Sequence, residues 1–396
     1  MVRGHSRNKH VIVVGAGLGG LTAALWLAWR GCRVQVLEAA SELREVGAGV
    51  SLGPNATRVL RAVGVLEALN GRISRPSRQI VQSWDGRILM AAEPNNTDAD
   101  AAGYIQVHRA DLQQALLGAL EKLAPGALRL DSKVTGCEPE ATRAVVTLRD
   151  GTRVAADLVV GADGVHSAVR RSLFADDSAS FTGIAAYRGL VPQDRLPALD
   201  AQAPSGMTIG PGRSFVRYLI RDGEMLNFVA FVSTSDWEPE GWSVACDRTE
   251  LERHFAGAHA DIQKVLAATP GTMFHKWGLF GRSPLERWTM GRVTLLGDAA
   301  HPMLPFLGQG ASMALEDGCV LARAIDEMPN LEDALKAYER VRVPRANAVA
   351  EASAARAAAV HTGRPDTFNR SVGEDSVARR EHLFGYDATT VEIALR

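Results

Sequence analysis

The chain has 396 residues, a length that predicts two domains or one large α/β domain with an insertion. Lysine and arginine number 44 against 45 aspartate and glutamate residues, so the net charge of −1 excludes a general attraction to nucleic acid or to an anionic membrane. No run of about 18 uncharged apolar residues is present, which argues against a membrane-spanning helix. Four widely spaced cysteines favour a reduced, cytoplasmic protein without a metal site.

The first informative segment is a strand, a glycine-rich turn, a helix and a second strand. The β-branched run at 11–14 predicts a buried strand, residues 21–28 a helix, and residues 33–38 a second strand. Gly15, Gly17 and Gly20 occupy the turn in the G-x-G-x-x-G pattern, which brings a diphosphate to a helix N-terminus. Glu38, 18 residues after Gly20, is placed to accept the hydroxyls of an adenosine ribose. The unit predicts a dinucleotide site but does not separate FAD from NAD.

The middle of the chain changes to alternating apolar and polar residues. Asp85-Gly86 and Asp150-Gly151 predict the turns of two hairpins, within 80–90 and 143–160. Residues 111–123 form an amphipathic helix pattern. Four further segments predict the strands of an inserted antiparallel sheet: 185–191, 207–209, 215–220 and 226–232.

The last third returns to the first domain with a strand at 293–296. Helices are predicted at 310–327 and 331–341, and the alanine- and arginine-rich stretch 344–360 predicts a solvated surface helix. Residues 365–380 are expected to be flexible. Tryptophans 237, 242, 277 and 288 are interpreted as packing between domains.

Two more strand tips carry an aspartate, and they favour FAD. Residues 157–164 include Asp163 near their end, and residues 291–302 include Asp298. A carboxylate at a short strand tip suits a hydrogen bond to a ribitol hydroxyl. Gly310 and Ala311 then open a helix whose N–H groups are placed to meet the flavin carbonyls, and this dipole would stabilise a reduced, anionic flavin.

These three segments, in this order, resemble the class A flavoprotein aromatic hydroxylases of the 4-hydroxybenzoate hydroxylase fold, with the branch that includes salicylate hydroxylase and 3-hydroxybenzoate 6-hydroxylase nearest. The resemblance extends from Val11 to about Asp387 and rests on Gly-Ala-Asp-Gly-x-x-Ser and Gly-Asp-Ala-Ala-His-Pro in combination. It implies an α/β fold, in which a Rossmann-like FAD-binding domain carries an inserted β-sheet substrate domain and C-terminal helices. The implied boundaries are 8–80, 100–175 and 285–360 for the FAD-binding domain, 81–99 and 176–284 for the substrate domain, and 361–396 for a C-terminal segment.

The resemblance also implies roles for individual cofactor-binding residues. Gly15, Gly17, Gly20 and Glu38 would hold the adenosine half of FAD, and Arg109 would bind near the ribitol and phosphates. Asp298 would hold the ribitol. Asp163 would stabilise the architecture that serves both FAD and NAD(P)H, and Arg44 would lie close to the mobile flavin and the nicotinamide.

On the substrate side, the resemblance places the carbonyl of Pro305 against the substrate ring. Tyr218 matches a substrate-clamping tyrosine, but Ser214 stands where the 3-hydroxybenzoate branch has a histidine base. Residues four apart on a strand share a face, so both are predicted to line one pocket. An unaided hydroxyl is no base at neutral pH, so Ser214 relays a proton, another group does so, or the substrate needs little activation.

The implied reaction is NAD(P)H- and O2-dependent hydroxylation of a small aromatic compound, similar to hydroxybenzoate or salicylate, through a flavin C4a-hydroperoxide. The alternatives are a tailoring hydroxylase or epoxidase for a larger polycyclic or heteroaromatic compound, and a flavin- or nucleotide-binding protein without turnover. No nucleic acid or membrane partner is expected, and a homodimer remains open.

Overall fold

The structure is a computed structural model, which describes residues 5, 8–43, 48–94, 103–174, 179–199, 205–235, 244–271, 274–361 and 381–394. Its strands are β1 (His10–Val14), β2 (Arg33–Leu37), β3 (Gly49–Leu52), β4 (Ile73–Ser74), β5 (Gln79–Ser83), β6 (Ile88–Ala92), β7 (Ile105–His108), β8 (Leu128–Arg129), β9 (Val134–Pro139), β10 (Ala144–Leu148), β11 (Arg153–Ala156), β12 (Leu158–Gly161), β13 (Ser180–Pro192), β14 (Ser205–Gly210), β15 (Arg213–Ile220), β16 (Met225–Ser233), β17 (Val244–Ala245), β18 (His275–Gly281), β19 (Thr289–Met290) and β20 (Val293–Leu295). Its α-helices are α1 (Leu18–Trp29), α2 (Pro54–Ala62), α3 (Val65–Ala68), α4 (Arg109–Leu123), α5 (Ala168–Leu173), α6 (Arg248–His254), α7 (Ala260–Ala268), α8 (Gly310–Glu327) and α9 (Leu331–His361).

A six-stranded sheet in the order β19-β20-β12-β1-β2-β8 forms the centre of the first half of the fold. Its pairings are parallel apart from β19 with β20. The β-branched residues of β1 are almost fully buried, as expected for a strand covered on both faces. Helix α1 joins β1 to β2 and packs against α4 and α8, so the largest apolar core surrounds this sheet. The carboxyl ends of β1, β12 and β20 therefore meet at one edge.

An eight-stranded sheet in the order β17-β18-β13-β16-β15-β14-β5-β6 forms the other half. It is antiparallel except where β14 pairs with β5. An apolar cluster that includes residues of α6 and α7 covers one face. A second cluster on the opposite face includes Phe306 and the end of α9. Two three-stranded sheets, β3-β7-β4 and β11-β10-β9, complete the described strands.

The predicted α/β architecture with a large antiparallel sheet is confirmed. Both hairpins form at the predicted turns, and α4 and α8 contain the predicted helical segments. The domain boundaries themselves stay a prediction. The stretch 365–380, which was expected to be flexible, lies outside the described residues.

The prediction of two separate helices after residue 330 is wrong. Helix α9 runs without a break from Leu331 to His361 and includes Pro344. Proline removes one backbone donor, but Pro344 is on the exposed side of the helix. On the buried side, ion pairs from Arg342 and Arg345 to Glu316 hold the helix against α8. The expectation of a solvated helix is also wrong, since Ser353, Ala357 and Val360 are buried.

Three observations bear on the function classes considered above. No helix among the described residues is long and apolar enough to cross a membrane. The same residues contain no cluster of three or more histidine, cysteine or acidic side chains that could hold a metal ion. All four cysteines are free thiols.

Candidate active site

A cavity of about 1200 Å³ lies between the carboxyl edge of the parallel sheet and one face of the eight-stranded sheet. Eleven of the thirteen predicted site residues line this cavity or belong to the glycine turn beside it. The lining residues among them are Gly15, Gly17, Glu38, Arg109, Asp163, Tyr218, Asp298, Pro305, Gly310 and Ala311. The eleventh, Gly20, belongs to the turn. Ser214 is described but does not line the cavity, and Arg44 lies outside the described residues.

The glycine turn has the conformation that its sequence predicts. Gly15 follows β1 with a φ of +102°, a backbone conformation that residues other than glycine rarely adopt. A Cβ atom at Gly20 would collide with the carbonyl oxygen of Gly15, so the third glycine permits close packing of helix on turn. A Cβ atom at Gly17 would meet no described heavy atom within 4 Å beyond its chain neighbours, because this position faces the cavity. The space in front of Gly17 is thus free for a ligand.

Glu38 is held at the end of β2 by two backbone donors. Its carboxylate accepts hydrogen bonds from Ala16 N at 2.7 Å and from Ala40 N at 2.9 Å. The side chain therefore bridges the glycine turn and the segment after β2, while it also borders the cavity. This is the position at which a carboxylate binds an adenosine ribose.

Two helices point their N-termini at the cavity, and this arrangement fits FAD. Helix α1 starts after Gly17 and α8 starts after Gln309, and neither start has a side-chain cap among the described residues. Their first N–H groups and dipoles are therefore available to an anionic or carbonyl-bearing ligand. Gly17 and Gly310 both line the cavity, so the start of α1 would suit the diphosphate of FAD and the start of α8 its flavin carbonyls.

Asp163 has a structural task that its motif predicts. Its carboxylate accepts hydrogen bonds from Ser167 Oγ at 2.5 Å and from Ala168 N at 2.7 Å, at the first turn of α5. Burial raises the pKa of Asp163, and these hydrogen bonds oppose the rise. Asp163 thereby holds α5 beside the glycine turn. Its predicted service to FAD and NAD(P)H stays a prediction.

Asp298 is exposed to the cavity between buried neighbours. It lies in a 3-10 turn, Gly297–Ala299, just after strand β20 of the parallel sheet. Behind this turn, Gly297 N donates to Asp317 Oδ2 at 2.9 Å, and Tyr338 OH donates to the carbonyl of Leu295 at 3.0 Å. These contacts fix the turn, and they leave the Asp298 carboxylate directed at the ligand space.

A buried charge cluster, formed by Glu316, Asp317, Arg342 and Arg345, joins helix α8 to helix α9. Arg342 bonds Asp317 at 2.8 Å and Glu316 at 2.5 Å, and Arg345 bonds Glu316 at 2.7 Å. Burial by itself would raise the pKa of Asp317, but His301 and Arg342 outweigh burial and lower the pKa to about 2. The sequence analysis did not find this cluster, although two acidic residues in a helix followed by R-x-x-R could have suggested it.

The eight-stranded sheet forms the other wall of the cavity. Tyr218 projects from β15 into the cavity, which Ser51 of β3 also lines. Burial raises the pKa of Tyr218 above its ordinary value, so its hydroxyl is a neutral donor at neutral pH. Ser214 shares this face of β15 but is fully buried. The expectation that both residues line one pocket is therefore met by Tyr218 alone.

The loop that carries Pro305 is held in place by helix α9. Ser353 Oγ donates to the carbonyl of Leu304 at 2.5 Å and accepts from Leu307 N at 3.3 Å. The carbonyl of Pro305 accepts from Gly308 N at 3.0 Å within the 3-10 turn Pro305–Leu307. This bond leaves the carbonyl one further lone pair for a ligand.

Two further residues of the eight-stranded sheet line the cavity, and the sequence analysis did not place either of them there. Arg188 lines the cavity, and its guanidinium carbon lies 5.2 Å from the ring centroid of Trp277. Trp277 was interpreted as domain packing, but it too borders the cavity. Of the other tryptophans, Trp288 is fully buried, whereas Trp237 and Trp242 lie outside the described residues.

An edge of the parallel sheet with the glycine turn of dinucleotide-binding proteins faces an antiparallel sheet across one cavity, an arrangement typical of flavoproteins. The chain belongs to the FAD binding domain family, whose model matches residues 8–353.

Three known proteins show the extent of the similarity. A 3-amino-4-hydroxybenzoate 2-monooxygenase from Streptomyces platensis is 36% identical, with 98% of each chain covered. A 3-hydroxybenzoate 6-hydroxylase from Aquipseudomonas alcaligenes is 34% identical, with 85% of this chain and 86% of that protein covered. A salicylate hydroxylase in complex with its substrate superposes with a TM-score of 0.81 at 26% identity and covers 98% of this chain and 99% of its own. The predicted class, an FAD-dependent aromatic monooxygenase, is confirmed.

Proposed function

We propose that the protein hydroxylates an aromatic acid that already carries a ring hydroxyl group, with NADH or NADPH and O2 as co-substrates. The observation that carries this proposal is the shared cavity, in which the dinucleotide edge and Tyr218 face one space. Bound FAD supplies the redox chemistry. The relatives named above act on hydroxybenzoates by their names.

The residues of the chain bind and orient the ring in this proposal. Tyr218 donates a hydrogen bond to the ring hydroxyl, and the apolar side chains Met207, Val216 and Val229 exclude water around the ring. Pro305, which lines the same cavity, closes the side of the ring opposite Tyr218. Oligomerisation to a homodimer and a cytoplasmic location stay predictions.

The test is a substrate-dependent NAD(P)H oxidation assay. The FAD-loaded protein is mixed with NADH or NADPH and a panel of hydroxybenzoates, aminohydroxybenzoates and larger polycyclic phenols, and the products are identified by mass spectrometry. We expect one of the hydroxybenzoates to accelerate flavin reduction and to gain 16 mass units, the mass of one oxygen atom. Turnover of polycyclic compounds alone would favour the tailoring alternative, and bound FAD without turnover of any compound would contradict the proposal.

Replacement of Tyr218 by phenylalanine should weaken substrate binding and leave the FAD content unchanged. The lost hydrogen bond corresponds to about 0.5–1.5 kcal/mol, so the Kd for the phenolic substrate should rise roughly 2- to 12-fold. Flavin absorbance titration measures this Kd. Tyr187→Phe is the matched control, because the Tyr187 hydroxyl bonds Glu250 on the other face of the sheet. Loss of FAD from Tyr218→Phe would instead place this residue in the cofactor half.

A further inference from the structure

A group of uncharged polar side chains borders the cavity where strand β7 of the small β3-β7-β4 sheet packs against β15 of the eight-stranded sheet. Its members are Ser51 on β3, Gln106 on β7 and Ser205 at the start of β14. We call these three residues the polar patch. Hydroxyl and amide groups donate and accept hydrogen bonds without carrying charge. The polar patch therefore suits a neutral polar group of a ligand.

Gln106 is the central residue of the polar patch. Its Nε2 donates to Ser205 Oγ at 2.9 Å, and only 2% of the residue is exposed. Within the described part of the chain this is the one hydrogen bond of the Gln106 amide. A second amide hydrogen and the carbonyl oxygen are left for a ligand. Because water reaches so little of this residue, a hydrogen bond made here is stronger than the same bond at the surface.

The polar patch lies beside Tyr218. A Cβ atom at Gly49 would lie 2.5 Å from Cε2 of Tyr218, so the tyrosine ring packs directly on the backbone of β3. Ser51 is two residues further along β3, about 7 Å away on the same face, and it pairs with Gln106 across the antiparallel ladder. These positions of the small sheet share the face on which the tyrosine packs. Tyr218 and Gln106 can therefore reach neighbouring substituents of one ring.

Asn227 fixes this arrangement. Its Oδ1 accepts a hydrogen bond from Gly49 N at 2.7 Å, and the residue is fully buried on β16 opposite Tyr218. Strand β3 is thereby held against the eight-stranded sheet, and the separation of Tyr218 from the polar patch is set by the fold. Two hydrogen-bonding groups at a fixed separation bind a matching ring without a further cost of ordering them.

We propose that Gln106, oriented by Ser205, binds a neutral hydrogen-bond donor, an amino or a hydroxyl group, on the ring carbon next to the hydroxyl group that Tyr218 binds. The inference deepens the proposed function and rests on it. The amide meets an amino or hydroxyl group, whereas a methyl group of similar size leaves its polar atoms unpaired. The polar patch has no charge to compensate a carboxylate, so the acid group of the substrate lies elsewhere in the cavity.

The test measures binding to the FAD-loaded protein without NADH or NADPH, so that it does not depend on turnover. Calorimetry is used to titrate 3-amino-4-hydroxybenzoate, 3,4-dihydroxybenzoate and 4-hydroxy-3-methylbenzoate, which differ only in the substituent next to the ring hydroxyl. We expect the wild type to bind at least one of the first two at least fivefold more tightly than the methyl compound. In Gln106→Leu the two Kd values should agree within about twofold. Intrinsic differences between the probes cancel, because the same probes are compared in both proteins.

Gln263→Leu is the matched control. The Gln263 amide also makes a hydrogen bond, to the carbonyl of Phe255 at 2.6 Å, but it belongs to α7 and does not line the cavity. This variant should keep the wild-type preference. If Gln106→Leu does not fold, Ser205→Ala leaves the amide in place and removes the group that orients it. The preference should then fall at least twofold.

Three results would overturn the assignment: no saturable binding of any probe, no preference for the amino or dihydroxy compound over the methyl compound in the wild type, or an unchanged preference in the folded variant, Gln106→Leu or Ser205→Ala. Failure of the proposed function is seen separately. It would appear as the expected binding preference without any hydroxylated product in the turnover assay, whereas hydroxylated product without the preference would contradict the role of Gln106 alone.

Discussion

Gly17→Ala should fold as well as the wild type and lose most of its affinity for FAD. Gly17 has an extended backbone, φ −69° and ψ 178°, which alanine adopts without strain. The added methyl group meets no described protein atom within 4 Å beyond the chain neighbours, so the apoprotein should not be destabilised. It would, however, occupy the space in which the diphosphate approaches the start of α1. We expect the Kd for FAD to rise at least tenfold, or about 1.4 kcal/mol.

Fluorescence titration of the apoprotein with FAD measures this change, and thermal unfolding of the same apoprotein shows whether the fold is intact. Gly118→Ala is the control, because Gly118 is exposed on α4 and also has open space at its Cβ. Unchanged FAD affinity in Gly17→Ala would mean that the diphosphate does not pass this turn.

Arg342→Leu should lower the free energy of unfolding by about 3–5 kcal/mol, because it leaves two buried carboxylates without their shared cation. Glu316, Asp317 and Arg342 are all fully buried. Urea unfolding at pH 7 measures the loss. Lys336→Met, which breaks the exposed pair with Glu332, should change the free energy by less than about 0.5 kcal/mol. A loss in Arg342→Leu as small as in this control would contradict the buried-pair assignment.

The same cluster should make the wild type lose stability in acid. The pKa of Asp317 in the folded protein is about 2, below its ordinary value of 3.8. A carboxyl group with a depressed folded pKa contributes stability that is fully present above its unfolded pKa and is lost as the pH falls through the folded pKa. Asp317 should therefore stop contributing between about pH 4 and pH 2. Unfolding curves at intervals across this range check the prediction, and a flat profile would contradict it.

Local chemistry explains which parts of the site were predictable. The turn at Gly15 needs a positive φ, and Gly20 needs the absence of a side chain, so both requirements are visible in the sequence of one short segment. The hairpins at Asp85-Gly86 and Asp150-Gly151 follow from turn chemistry in the same way. Tyr218 was implied by the family resemblance and by the two-residue period of its strand, and it does line the cavity.

Contacts between distant segments were not predictable. Ser214 is four residues from Tyr218 on β15, so both side chains share one face of the sheet. Whether Ser214 is buried depends on what packs over that part of the sheet. Pro344 indicated a helix break, and only the ion pairs of Arg342 and Arg345 with α8 show why α9 continues. Arg188 and Trp277 are 89 positions apart in the sequence, and they meet because β13 and β18 pair.

The sequence by itself therefore determined the dinucleotide turn and most of the strands and helices, because these depend on backbone conformation and residue periodicity within short segments, and it indicated the class of enzyme through the resemblance of its motifs to a known family. Only the tertiary structure decided which charges are buried together, how deep Ser214 lies and which arginine meets Trp277 at the cavity. Those properties depend on which strands pair and which helices pack, and the free energy that selects them is spread over residues far apart in the chain.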